Sequence, residues 1–171
     1  MITTTWPPSL RDGPGMAHAY AHLLGWPIWV DSERVGPEQV AHVVAERQPS
    51  AVTTVCSGFD AVQVPYIPGR HALVTAERKG AVPCLRADRR AFTLFVEPGT
   101  GRSIADLAGS GLKILSGDEA RIELPPTPGV LWDTPPWHVD EAQAVKLRAA
   151  GDLRKALVDA LHLYPRPRGE W

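Results

Sequence analysis

The chain predicts an α+β domain in which a mixed or antiparallel sheet carries helices packed mainly on one side. Apolar residues at helical spacing alternate with short β-branched and aromatic runs, in the order helix, strand, helix, paired strands, helix, hairpin, helix, three strands, helices. Seventeen prolines and fifteen glycines among 171 residues keep each element short. That length suits one domain with a real core better than two.

Residues 1–15 hold Pro7, Pro8, Gly13, Pro14 and Gly15, too many breaks for a helix to start, and are expected to form a flexible arm. Residues 16–24 are helix-compatible and end at Gly25, after which residues 26–30 read as a strand with a proline near its start. Gly36, Pro37 and Glu38 open a second helix, with Val40, Val43 and Val44 as its apolar stripe and Pro49 as its limit. Residues 51–64 read as a central strand pair: β-branched residues, a break at Gly58, then an apolar run carrying one carboxylate, Asp60. Pro68 and Gly69 turn into a helix over 70–79 with Ala72, Leu73 and Ala76 at helical spacing. Residues 82–86 and 92–97 pair as a hairpin across 87–90. The Gly-rich loop 98–103 opens onto a short helix containing Ile104 and Leu107. Strands follow at 112–115, 121–124 and 130–132, with Ser116, Gly117, Asp118 and Glu119 read as a hairpin turn. Asp140 caps a helix through Ala150, and Gly151 and Asp152 restart it to Leu163, with Leu153, Leu157 and Leu161 on one face. A basic, proline-rich tail closes the chain.

With 44% hydrophobic and 22% charged residues, the composition is that of an ordinary soluble globular protein, and no apolar run is long enough to cross a bilayer. Residues 1–8 lack the basic and apolar regions of a signal peptide, so the expected location is cytoplasmic, without a membrane partner. A net charge of -1 gives no global attraction for nucleic acid, and phosphate contacts need a local basic patch. Arg86, Arg89 and Arg90 form one compact basic turn, equally readable as a solvated hairpin end; Arg102, Arg166 and Arg168 are the other candidates. Arg102 also stands at the start of a helix whose free N–H groups suit phosphate, although an N-cap at Ser103 explains that loop equally well.

Cys56 and Cys84 lack the paired spacing of a zinc site and read as buried small apolar residues. His18 and His22 share a helix face without the glutamate of a zinc-protease motif, and read as polar surface. Asp60 is the residue that matters most. A strand carboxylate there suits a metal, or else it bonds a backbone N–H or an arginine such as Arg90. Among six tryptophans, Trp6, Trp137 and Trp171 lie near segment ends and are candidates for an exposed apolar patch.

The order of four stretches resembles the N-terminal domain of bifunctional DNA primase-polymerases, of the archaeo-eukaryotic primase superfamily, in its shortened actinobacterial form. The stretches are Ala17 to Trp29 with its Gly-Trp-Pro turn; Phe59-Asp60-Ala61-Val62; Gly80 to Pro83 followed by residues 92–99; and residues 117–126 with Gly129 and Trp132. The match covers about residues 17–137, within an expected domain over 16–137, and leaves residues 138–171 as a helical extension with a basic tail. The resemblance implies an Asp-x-Asp/Glu pair on one strand, a phosphate-contacting histidine on the hairpin strand and a third acid on a later strand, together holding two Mg or Mn ions. Asp60 matches the first acid. The second falls at Val62, the histidine at Phe92 and the third acid near Ile114, so the resemblance implies a catalytically degenerate domain with no cofactor, binding DNA or nucleotide as a regulatory module. The alternative is an active enzyme using Asp60 with Asp118 or Glu119 and Mg or Mn. A third reading is a protein-interaction domain with no nucleic-acid role.

Overall fold

The computed structural model describes residues 10–87 and 90–165. Helix α1 (Gly13–His22) leads into a short hairpin, β1 (Ile28–Val30) and β2 (Glu33–Val35), followed by α2 (Val40–Glu46). The long strand β3 (Val52–Pro65) runs directly into α3 (Tyr66–Glu77). The hairpin β4 (Cys84–Ala87) and β5 (Ala91–Val96) comes next, then a 3-10 segment (Gly101–Ser110) and a second long strand, β6 (Lys113–Leu124). The chain ends through β7 (Val130–Thr134), a small hairpin of β8 (Trp137–His138) and β9 (Gln143–Ala144), and α4 (Ala150–Leu163).

All pairings in the seven-stranded main sheet are antiparallel. β3 is its axis. Its first half pairs with β1 and its second half with β5, while β6 follows both halves on the opposite flank. β6 has no other strand partner among the described residues, so its outer edge is open.

The period-two alternation of strand side chains divides the core into two apolar clusters, one on each face. Phe59 and Ala61 of β3, Leu85 of β4 and Phe95 of β5 join α1, β1 and α2 on one face. Val62 and Val64, Cys84, and Phe92, Leu94 and Val96 join α3, the 3-10 segment and α4 on the other. Helices therefore cover both faces, where the sequence predicts mainly one, because the central strands are apolar on both sides.

The remaining departures have local causes. α1 begins inside the expected arm: Asp12 caps it by accepting the Gly15 N–H at 2.7 Å, and Pro14 occupies the first turn, where a missing N–H costs nothing. Leu10 is buried as well. α3 starts at Tyr66 with Pro68 in its first turn for the same reason. The breaks read at Gly58 and Gly117 do not end strands. They coincide at a shared irregularity, where the β3–β6 register shifts on either side of the Cys56–Gly117 pair and both strands continue. Gly117 has φ +83°, a conformation that favours glycine, and an added Cβ at Gly58 would lie 3.2 Å from the Trp26 indole nitrogen. No helix forms over 140–149. That stretch holds part of the turn from β8 and strand β9, and α4 belongs to the core rather than to an extension: Leu153, Leu157 and Ala160 are buried in the second cluster.

Candidate functional site

Asp60 lies on the face of β3 that carries Val62 and Val64, paired across the sheet with Val96. It is only 3% exposed, and its Oδ2 accepts the Gly101 N–H at 2.7 Å. Gly101 opens the 3-10 segment, so the carboxylate satisfies an N–H that has no partner within that segment. Gly101 is needed for the approach: a Cβ there would sit 2.9 Å from Asp60 Oδ2 and 2.8 Å from Ile114 Cγ2. Of the sequence alternatives for Asp60, the backbone bond is the one observed, to Gly101 rather than to Arg90. The phosphate-binding reading of the 98–103 loop loses this N–H, and Ser103 directs its hydroxyl to Thr100 O at 2.8 Å.

The positions at which the resemblance would place the other ligands, Val62, Phe92 and Ile114, lie on β3, β5 and β6. Val62 pairs with Ile114 on one side and with Leu94 on the other, and Phe92 pairs with Val64. Val62 and Phe92 are buried, and Ile114 packs against their cluster. Phe92 stacks on Tyr66 with ring centroids 5.1 Å apart. Gly69 of α3 sits directly over Phe92, close enough that a Cβ would come within 3.0 Å of the Phe92 Cβ. Apolar side chains fill this volume.

Asp118 and Glu119 are exposed on β6. Asp118 borders a different cleft, beside Trp29, Arg34 and Arg121. Among the described residues no group of three or more histidine, cysteine or acidic side chains is placed to hold a metal ion. Replacing Asp60 by alanine is expected to destabilise the fold by about 1–3 kcal/mol, because the Gly101 N–H is left buried without an acceptor. Asp60→Asn, which keeps an acceptor oxygen, should cost less. Urea unfolding of the two variants checks this; equal midpoints for wild type and Asp60→Ala would contradict it.

The basic candidates do not form one patch. Arg86, half-buried on β4, lines a cleft with Arg70, Glu77 and Asp133. Arg90 borders a different cleft with Lys113, and Arg102 is exposed on the 3-10 segment. Arg89, Arg166 and Arg168 lie outside the described residues, as do Trp6 and Trp171. Trp137, expected at the surface, is buried beside Tyr20 and Trp132. Tyr20 organises that aromatic cluster: its hydroxyl donates to Pro125 O at 2.8 Å and accepts from Trp132 Nε1 at 2.7 Å, and burial pushes its pKa up.

The structure brings forward a group that the sequence reading missed. Ile28 and Val30 of β1 point into the first cluster, so Trp29 lies on the opposite face. Its cross-strand neighbour Arg34 places a guanidinium 5.7 Å from the indole centroid, and Arg121 of β6 places another at 4.2 Å. This part of the sheet face carries the exposed Arg34, Ser57 and Arg121, with Asp118 at its border and Glu123 paired to Thr53. The alternation of β1 was the signal in the sequence; the contribution of Arg121, ninety-two positions away, was not.

The remaining titratable candidates read as structural. Burial, and secondarily the Asp60 charge, push the Cys56 thiol up to about 11, and burial with Asp133 nearby pushes Cys84 up further, so neither is a ready thiolate. His18 and His22 stack at 4.2 Å, and burial, then the neighbouring His22, hold His18 below its usual value. No described helix is long and apolar enough to cross a membrane. No family model, curated protein or solved structure matches the chain.

Proposed function

We propose that the protein is a catalytically degenerate primase-polymerase-like domain that binds single-stranded nucleic acid as a non-enzymatic module in cytoplasmic DNA transactions. The observation that supports the loss of catalysis is the filled site. Asp60 is committed to the Gly101 N–H, and Val62, Phe92 and Ile114 pack where the resemblance requires metal and phosphate ligands. A two-metal mechanism needs several carboxylates converging on one point, and one buried carboxylate with a backbone partner does not provide them.

The binding half of the reading draws on the Trp29 face. On this sheet face the guanidiniums of Arg34 and Arg121, laid against Trp29, offer phosphates two cations and a base flat guanidinium planes to stack on, backed by the indole. Asp118 and Glu123 sit near this face, and the chain has a net charge of -1, so stacking rather than bulk attraction carries the affinity.

Fluorescence anisotropy of labelled single-stranded oligonucleotides at two salt concentrations tests the reading. The expected result is binding that weakens with salt and falls about tenfold when Trp29 is changed to alanine, since one stacked base contributes roughly 1–3 kcal/mol. Arg121→Ala should lower both the affinity and the salt slope. Absence of binding, or primer extension in Mg or Mn, would reject the proposal.

A further inference from the structure

A cleft of about 870 Å³ opens where β3 passes into α3, between the starts of β5 and β6 and the end of α4. Its walls are mainly apolar, from Tyr66 and Ile67 on one side to Leu163 and Tyr164 on the other. Ile67 is 60% exposed, Leu163 62% and Tyr164 44%, three of the five large apolar side chains left in solvent among the described residues. Hydrated side chains gathered in this way mark an interaction surface rather than scattered exposure. Among the described residues the charged groups lining the cleft are Arg90 and Lys113, and no described carboxylate lines it.

We propose that this cleft docks a short protein segment in which large aliphatic or aromatic side chains are flanked by aspartate or glutamate. Ile67 and Leu163 gain most from meeting other apolar side chains, and Arg90 and Lys113 complement carboxylates beside them. The tyrosines favour a peptide over nucleic-acid bases, because each ring already packs against a neighbour: Tyr66 stacks on Phe92, and Tyr164 tilts against His71 at 5.7 Å. The free cleft surface is therefore weighted towards aliphatic side chains. The cleft lies apart from Trp29 and its arginines, so the inference stands independently of the nucleic-acid proposal.

The probe is a random-peptide library displayed on phage, selected on the full-length protein and counter-selected on the paired variant Ile67→Ser with Leu163→Ser. All four residues to be changed in the test are exposed, and an unchanged melting midpoint for each paired variant confirms that the fold is intact. The expected outcome is enrichment of apolar peptides flanked by acids. A synthetic copy of one should bind about tenfold or more weakly to the serine pair and to Arg90→Glu with Lys113→Glu. A lysine-for-aspartate copy should regain affinity for the charge-reversed pair. No enrichment, a basic consensus, or binding unaffected by both pairs overturns the proposal. Displacement of the peptide by oligothymidylate, with oligothymidylate binding sensitive to the same four residues, would also overturn it by assigning the cleft to nucleic acid.

Discussion

Changing Phe95 to alanine is expected to destabilise the protein by about 3–5 kcal/mol, a large part of the roughly 5–15 kcal/mol that holds a domain of this size. Phe95 contacts three other rings of the aromatic cluster on one face of the sheet. Its centroid lies 4.7 Å from Phe59, 5.2 Å from Trp132 and 5.7 Å from Trp26. Its cross-strand neighbour on β3 is Ala61, too small to move into the space, so truncation leaves a cavity that the surroundings cannot refill. The backbone is unaffected, since the Phe95 N–H still donates to Pro83 O. In urea the midpoint should fall with little change in slope. A loss below about 1 kcal/mol would mean that the cluster repacks without this ring.

Leu157→Ala is expected to cost about 2–5 kcal/mol, and its readout distinguishes a core helix from a docked extension. Leu157 is fully buried in the cluster that α4 forms with α3 and the sheet. The described tryptophans that take part in an apolar cluster, Trp26, Trp132 and Trp137, all belong to the opposite face. If the domain unfolds as one unit, their fluorescence must report a lowered midpoint even though none of them is in the Leu157 cluster. Circular dichroism should give the same midpoint. A tryptophan transition that stays in place while helix signal is lost earlier would make α4 a separately melting element.

Most of the elements were legible because their cause is local. The β-branched run before Gly58, the valine stripe of α2 and the hairpin of β4 and β5 are each specified within a few residues. The leucine stripe of α4 was legible too, with Leu153, Leu157 and Leu161 all buried. The errors came where a residue has two uses. Pro14 and Pro68 break helices in the interior but begin them in the first turn. Gly58 and Gly117 look like chain reversals, yet both lie at the irregularity around the Cys56–Gly117 pair, through which two long strands continue. Asp60 was recognisable as the residue to examine. That its partner is the N–H of Gly101, 41 positions away, depends on packing that no local pattern records. The same holds for Arg121 over Trp29.

The open outer edge of β6 gives Asp118 and Glu119 a different significance. A twelve-residue strand with one flank unpaired among the described residues is a template on which another chain could add a strand, the first step towards aggregation. This strand carries Lys113, Asp118, Glu119, Arg121 and Glu123, all exposed, so an incoming strand would meet charge along its length. The two acids offered as replacement metal ligands thus have a second reading: their charge opposes the addition of another strand along this edge.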